Sequence, residues 1–264
     1  MREALILDAP VQPRPDAPDG FASLVAQGEE IVGVFGREVT DVGQVRGAGE
    51  PRALGLGAPL AQVVVTTRSG LVAQVPVVAG RRTVLTFHEG QLRGVQLATA
   101  RDEDLSAALE IRRKVREVAR DALHAGVFEW AVEDIPLLLE YVDRDPYDLT
   151  LNLYAGYMLD GLRQPAAIGA LSGLVLRKWK HIPFDLAIHK ASTRAPAATG
   201  ASKTGSTHHL LPCFSRGWSK LAAFERERTD ALGLRDFVLE GPWSTFSTGA
   251  IPLLRVLHTG GFTL

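Results

Sequence analysis

The stretch "THHLLPCFSRGW", Thr207 to Trp218, gathers the residue types from which a reactive site is most easily built: the sole cysteine, Cys213, with His208 and His209 just upstream. A thiolate beside an imidazole base is the nucleophile of a cysteine hydrolase, and cysteine with histidine is a common zinc ligand set. Each chemistry has further requirements. A reactive thiolate needs an electropositive, partly exposed setting, whereas Cys213 follows Pro212 inside the apolar run "LLPCF". A small buried hydrophobe is the commoner outcome there. Adjacent histidines point in different directions on a regular backbone, so at most one of His208 and His209 can join Cys213. No cluster elsewhere supplies the third ligand of a metal site. The expectation is therefore packing for Cys213, with no metal and no cofactor.

Other motifs fall short of their chemistry. Gly200 and Gly205 have the spacing of two P-loop glycines, but Ser206-Thr207 stands where Lys-Ser/Thr is required. "DRDPYD" lacks the glycine and terminal glutamate of a calcium loop, and no Gly-x-Ser-x-Gly elbow occurs. "ERER", Glu225 to Arg228, reads as a solvated helix face. Arg112, Arg113, Lys114 and Arg116 form a candidate basic face, interleaved with Glu110 and Glu117. A nucleic-acid or transcription-factor-binding module using that face is an alternative function, and a cysteine hydrolase using Cys213 is a second.

The elements that must position these residues divide near residue 95. With 264 residues, 46% hydrophobic and 22% charged, the chain can bury a sizeable core. Its 29 basic and 30 acidic side chains leave a formal charge of -1, which excludes a global field for nucleic acid or anionic membrane. The short apolar run before Asp8 is far from a signal-peptide core or membrane span, so a cytoplasmic location is expected. One cysteine cannot form an intrachain disulfide.

Residues 1–95 carry strand signals. "FASLVAQG" and "EIVGVFG" are β-prone runs ended by glycine, and "GEPRALGLGAPL" reads as a loop. Runs at Gln62 to Thr67, Leu71 to Val78 and Thr83 to Phe87, separated by turn residues, predict a three-strand antiparallel meander in a small β-sandwich. Residues 96–264 read as a helical bundle, giving an α+β fold. Ala108, Ile111, Val115, Val118 and Ala122 make one helical stripe, and "VEDIPLLLEYV" is a second helix. Asp145 as N-cap with Pro146 at the first helical position predicts a third, with Leu151, Tyr154, Ala155, Met158 and Leu162 as its apolar stripe. The small Ala155 and Gly156 would let helices approach closely. "PAAIGALSGLVLRKWK" is a further helix, and "GWSKLAAFERERTDAL" is helix-like.

Between these helices lies "ASTRAPAATGASKTGST", Ala191 to Thr207. It has no aliphatic residue larger than alanine, no aromatic and no acid. Such a stretch cannot offset its ordering entropy by burial, so a mobile surface loop is expected, carrying Arg194 and Lys203 as isolated basic residues.

Four stretches resemble, in order, the accessory region that follows caspase-like protease domains in bacterial proteins. "VPVVAGRRTVLTF" looks like the closing strands of that region's small β-sandwich. "DPYDLTLNLYAGYMLDGL" is similar to its "DP...LxLYAAYA" helix, "IPFDLAIHK" to its "LFDIALL" segment, and "LLPCFSRGWSKL" to its "PLLSQGW.LL" segment. The resemblance spans roughly residues 60–264. It implies a protease-less relative, because the His-Cys dyad of such proteases lies upstream of this region. Cys213 then stands where the family pattern has a packing residue. The function so implied is non-catalytic: a partner, regulator or cleavable substrate of a caspase-like protease, in a bacterial signalling or antiviral defence system. Bacterial proteases of this class often cut after basic residues, and Arg194 and Lys203 are the candidate cleavage sites in the 191–207 loop. Direct nucleic-acid binding, membrane attachment and a small-molecule ligand are not expected.

Overall fold

The computed structural model describes residues 20–41, 49–58, 60–98, 114, 133, 135–144, 148–179, 183, 185–187, 189, 211–224 and 233–259. The strands are β1 (Phe21–Gln27), β2 (Ile31–Gly36), β3 (Val39–Asp41), β4 (Arg52–Leu56), β5 (Leu60–Thr67), β6 (Val72–Val78), β7 (Arg82–His88), β8 (Gln91–Ala98) and β9 (Thr245–Phe246). The helices are α1 (Ile135–Arg144), α2 (Leu149–Gly161), α3 (Pro165–Trp179), α4 (Ser215–Phe224) and α5 (Ile251–Thr259), the last preceded by a single 3-10 turn at Thr248–Ala250. The chain is α+β. It divides into two compact units, one formed by Met1–Asp104 with Phe237–Leu264, the other by Leu105–Asp236.

The first unit contains two sheets, of order β3-β4-β1-β7-β8 and β2-β5-β6-β9. All pairings between neighbouring strands are antiparallel except β1 with β7, which is parallel. β6 packs against β1, β7 and β8 of the other sheet, and every one of its residues is buried. Along β1, Ala22, Leu24 and Ala26 are buried while the residues between them are half-exposed, the alternation of a strand with one inward face. The β5–β6 hairpin closes at Gly70, whose φ of +87° is cheap for glycine alone. Pro76 survives inside β6 because its missing N–H costs no ladder bond. Gln74, two residues earlier and of the same parity, donates to the Ser244 carbonyl on the β9 side, and β9 pairs with β6 only at Val72 and Ala73.

Three differences from the sequence reading have identifiable causes. The third strand of the expected meander leaves its sheet: β7 pairs with β1 and β8, not with β6. The turn before it is captured by β1, since Gly80 N–H donates to the Phe21 carbonyl at 2.7 Å and Ser23 N–H to the Arg81 carbonyl at 3.0 Å. The glycine-rich "GEPRALGLGAPL" contains a strand, β4, between β3 and β1. It is fixed by the buried Arg52, whose Nε lies 3.1 Å from Asp41 Oδ1 and whose Nη1 donates to the Ile31 carbonyl at 3.4 Å. The C-terminal segment, grouped with the helices in the sequence reading, instead supplies β9 to the edge of β6 and α5 to β2. A single boundary near residue 95 therefore does not describe the two compact units.

In the second unit, α3 packs against both α1 and α2. α1 is amphipathic, with Ile135, Leu138 and Val142 buried and Leu137 exposed. α2 is different. Every residue from Leu149 to Leu159 is buried, so the expected single stripe is replaced by burial on all faces, as in a core helix. Its N-cap is Asp148, not Asp145, because Asp148 Oδ1 accepts the Leu151 N–H at 3.0 Å. Asp145 and Pro146 lie outside the described residues, as do the expected helix stripe from Ala108 to Ala122 and the 191–207 stretch.

Candidate functional site

A polar cluster in the second unit assembles around Asp185, a fully buried acid inside the apolar segment "IPFDLAIHK". Its Oδ1 accepts the Tyr157 hydroxyl at 2.8 Å and the Phe214 N–H at 3.4 Å, and its Oδ2 accepts the Cys213 N–H at 2.8 Å. Tyr157 comes from the middle of α2, while Cys213 and Phe214 immediately precede α4. One carboxyl thus joins three segments of the chain. His189, also fully buried, stacks edge-on against Tyr157 with ring centroids 4.3 Å apart, and its Nδ1 lies 3.4 Å from Asp160 Oδ1.

Two glycines make room for the cluster. A Cβ on Gly156 would collide with the Leu186 side chain, and one on Gly217 would stand 2.6 Å from Pro212 and 2.7 Å from the Tyr157 hydroxyl. Gly217 therefore lets the first turn of α4 approach the Tyr157–Asp185 bond, and Gly156 lets the 185–189 segment lie against α2. The close approach expected at Gly156 is present. The Phe214 ring completes the packing, 5.0 Å from Tyr154 and 5.2 Å from Tyr157 between centroids.

The electrostatics follow from burial. Removal from water raises the Asp185 carboxyl above its ordinary value, and it outweighs the opposing effects of the Cys213 N–H, the Tyr157 hydroxyl, His189 and the Phe214 N–H. Burial also raises the Tyr157 hydroxyl well above its ordinary value, assisted by the Asp185 charge. Both groups are held in a sealed, low-dielectric setting where a hydrogen bond is strong and a lost partner is costly.

Cys213 is 1% exposed and its backbone N–H is committed to Asp185. The sequence reading of Cys213 as a packed residue agrees with this burial. Its backbone partner is a carboxyl, the opposite of the cationic partner that promotes a thiolate. His208 and His209 lie outside the described residues. So do Arg194 and Lys203, together with Arg112, Arg113 and Arg116, while Lys114 is described as an exposed helical residue. Among the described residues no group of three or more His, Cys, Asp and Glu side chains could hold a metal ion, and no helix is long and apolar enough to cross a membrane.

Tyr157, Asp185 and His189 were not singled out by sequence reasoning. A signal existed: an acid and a histidine inside "IPFDLAIHK" are expensive to bury without partners. Their partners are remote in sequence, so local periodicity could not find them.

No protein-family model, curated protein or solved structure matches the chain.

Proposed function

We propose that this chain is a non-catalytic interaction protein that serves as the cleavable substrate of a caspase-like protease, in the cytoplasm of a bacterium and within a signalling or antiviral defence system. The observation that carries the reading is the use made of Cys213. Its side chain is buried and its N–H is spent on Asp185, so the residue that most resembles a nucleophile acts as a structural joint. Asp185 precedes the 191–207 stretch in the chain and Cys213 follows it. The stretch with Arg194 and Lys203 is therefore framed by two flanks fixed to each other, which is the arrangement a cut site needs if the surrounding fold is to survive cutting. The resemblance to the region that accompanies caspase-like proteases supplies the class of partner.

The experiment is incubation of the full chain with a bacterial caspase-like protease that cuts after basic residues, followed by mass-spectrometric mapping of the ends. Cleavage after Arg194 or Lys203 is expected. Ends confined to places outside 191–207, or an uncut chain, would sink the reading.

A further inference from the structure

We propose that the solvent face of α3 is a docking surface for the same face of a second copy of this chain, the two helices pairing antiparallel. The face is made of Pro165, Ala166, Gly169, Ala170, Gly173 and Leu176, which recur at helical spacing along one side of α3. All are exposed except the half-buried Gly173, and Leu176 is 40% exposed. The opposite side, with Ala167, Ile168, Leu171 and Val175, is buried. No polar side chain stands on the solvent face before Arg177, about three turns from Pro165.

A surface helix ordinarily turns polar residues to water, and alanine is a better helix former than glycine. Gly169 and Gly173 break both habits. A Cβ on either would meet nothing within 4 Å, so neither glycine makes room for another part of the chain. Gly156 and Gly217 differ, since the space they leave is taken by Leu186 and by Pro212 and Tyr157. One turn apart, with Ala166 and Ala170 beside them, Gly169 and Gly173 leave a flat surface on which a second helix can lie backbone to backbone, within reach of Cα–H···O contacts. Ser172 borders this face, next to Gly169 and Leu176 on the helix surface. Its side chain is fully buried and its Oγ has no hydrogen-bond partner among the described residues. A carbonyl of a helix seated over Gly169 can accept from that hydroxyl, which the single chain leaves unsatisfied.

Charge and area select the occupant. The face carries no charge, so it offers nothing to an acidic or a basic surface and fits another uncharged one. Among the described helices only α3 has such a face: α1 exposes Glu140 and Asp143, α4 Arg216 and α5 Arg255, while α2 is buried from Leu149 to Leu159. The complement of α3 is therefore α3 itself, related by a two-fold axis. Antiparallel pairing keeps Arg177 of the two copies apart and opposes the two helix dipoles. In that register Gly169 of one copy lies opposite Gly173 of the other, and Leu176 of one fills the space above Ala166 of the other. A face about 17 Å long and about 10 Å wide is well short of the ~800 Å² per partner of a standard interface, so the pairing is weak and depends on concentration.

The test is sedimentation velocity of the full chain from about 10 μM to about 1 mM, a range suited to weak association. A monomer–dimer equilibrium is expected, shifted roughly tenfold or more toward monomer in Gly173→Leu. Gly173→Ala separates this effect from damage to the fold. In open space within a helix, it should raise the urea midpoint of the dilute chain and yet weaken association. Ser172→Ala should weaken association without lowering the midpoint. A chain that is monomeric throughout the range overturns the proposal and leaves the face to a helix of another protein. Dimers unaffected by both Gly173 variants overturn it as well, since they use another surface. Orientation is read by cysteine pairing, because the sole native cysteine, Cys213, is buried. Ala166→Cys combined with Leu176→Cys should give a disulfide-linked dimer under mild oxidation, and neither single variant should. Linkage in a single variant would mean parallel helices and overturn the antiparallel arrangement. Neither readout involves cleavage of the chain.

Discussion

The Tyr157 hydroxyl donates to Asp185 Oδ1 at 2.8 Å, joining residues 28 positions apart in a site where neither reaches water. This bond belongs to a set of three donors that converge on one carboxyl, two of them backbone N–H groups from the segment after residue 207. Substitutions other than proline leave the backbone donors in place, so the acid is the point at which the joint can be tested.

Asp185→Asn should destabilise the second unit by about 2–3 kcal/mol, because the amide places an N–H where a donor already points and leaves a buried group unsatisfied. Tyr157→Phe should cost less, about 1–2 kcal/mol, since the carboxyl keeps both backbone donors. Urea unfolding of the two variants against the unaltered chain measures the order. A larger loss for Tyr157→Phe would mean that packing around the ring, and not the carboxyl, dominates.

Alkali should act through the same pair. Burial raises Tyr157 well above its ordinary value of 10.0, so the unfolded chain loses this proton first as pH rises. The contribution of the neutral phenol to stability is complete below pH 10 and is lost as pH climbs from there toward the raised value. Melting temperatures compared between pH 9 and pH 11 should fall less in Tyr157→Phe than in the unaltered chain. An equal fall in both would assign the alkaline loss to other groups.

Local signals made the β5–β6 hairpin legible, since the Ser69-Gly70 turn and the flanking apolar runs are contiguous and Gly70 adopts the conformation the turn requires. β4 was hidden for the opposite reason. Its "RALGL" has a charged first residue and a glycine, features of loops, and its burial depends on Asp41 and on the Ile31 carbonyl, which no local window contains. The sheet switch of β7 was likewise illegible, because hydrogen bonds from the turn to β1 decide it. At the site, burial of Cys213 could be read from its apolar neighbours, whereas the convergence of Tyr157, Cys213 and Phe214 on Asp185 is purely tertiary.

Gly156→Ala sets two physical effects against each other. Alanine is favoured over glycine in a helix interior by about 1 kcal/mol. At this position, however, its methyl group would collide with the Leu186 side chain, in a helix buried on every face. Overpacking of a well-filled core costs about 1–3 kcal/mol. The variant should therefore be less stable than the unaltered chain in urea unfolding, and Gly156→Ala with Leu186→Ala should lose less than the sum of the two single changes. Additive losses would show that Leu186 is not what the methyl group meets.

Acid should weaken the β-sheet unit through His258. Its ring packs edge-on against Phe35 of β2 with centroids 6.2 Å apart, and the Arg255 guanidinium lies 5.0 Å from the centroid of the same Phe35 ring. Burial lowers the imidazole from 6.5 to about 4. The unfolded chain therefore takes up a proton as pH falls through about 6.5, while the folded chain resists protonation until about 4. Stability owed to the neutral ring is complete above pH 6.5, declines between 6.5 and 4, and levels off below. The whole decline amounts to about 3 kcal/mol at one pH unit per 1.36 kcal/mol. Replacement by leucine keeps an apolar group against Phe35 and removes the titration. Urea midpoints followed from pH 7 to pH 4 should therefore fall more steeply in the unaltered chain than in His258→Leu, and parallel slopes would show that the ring is accessible to protons in the folded state.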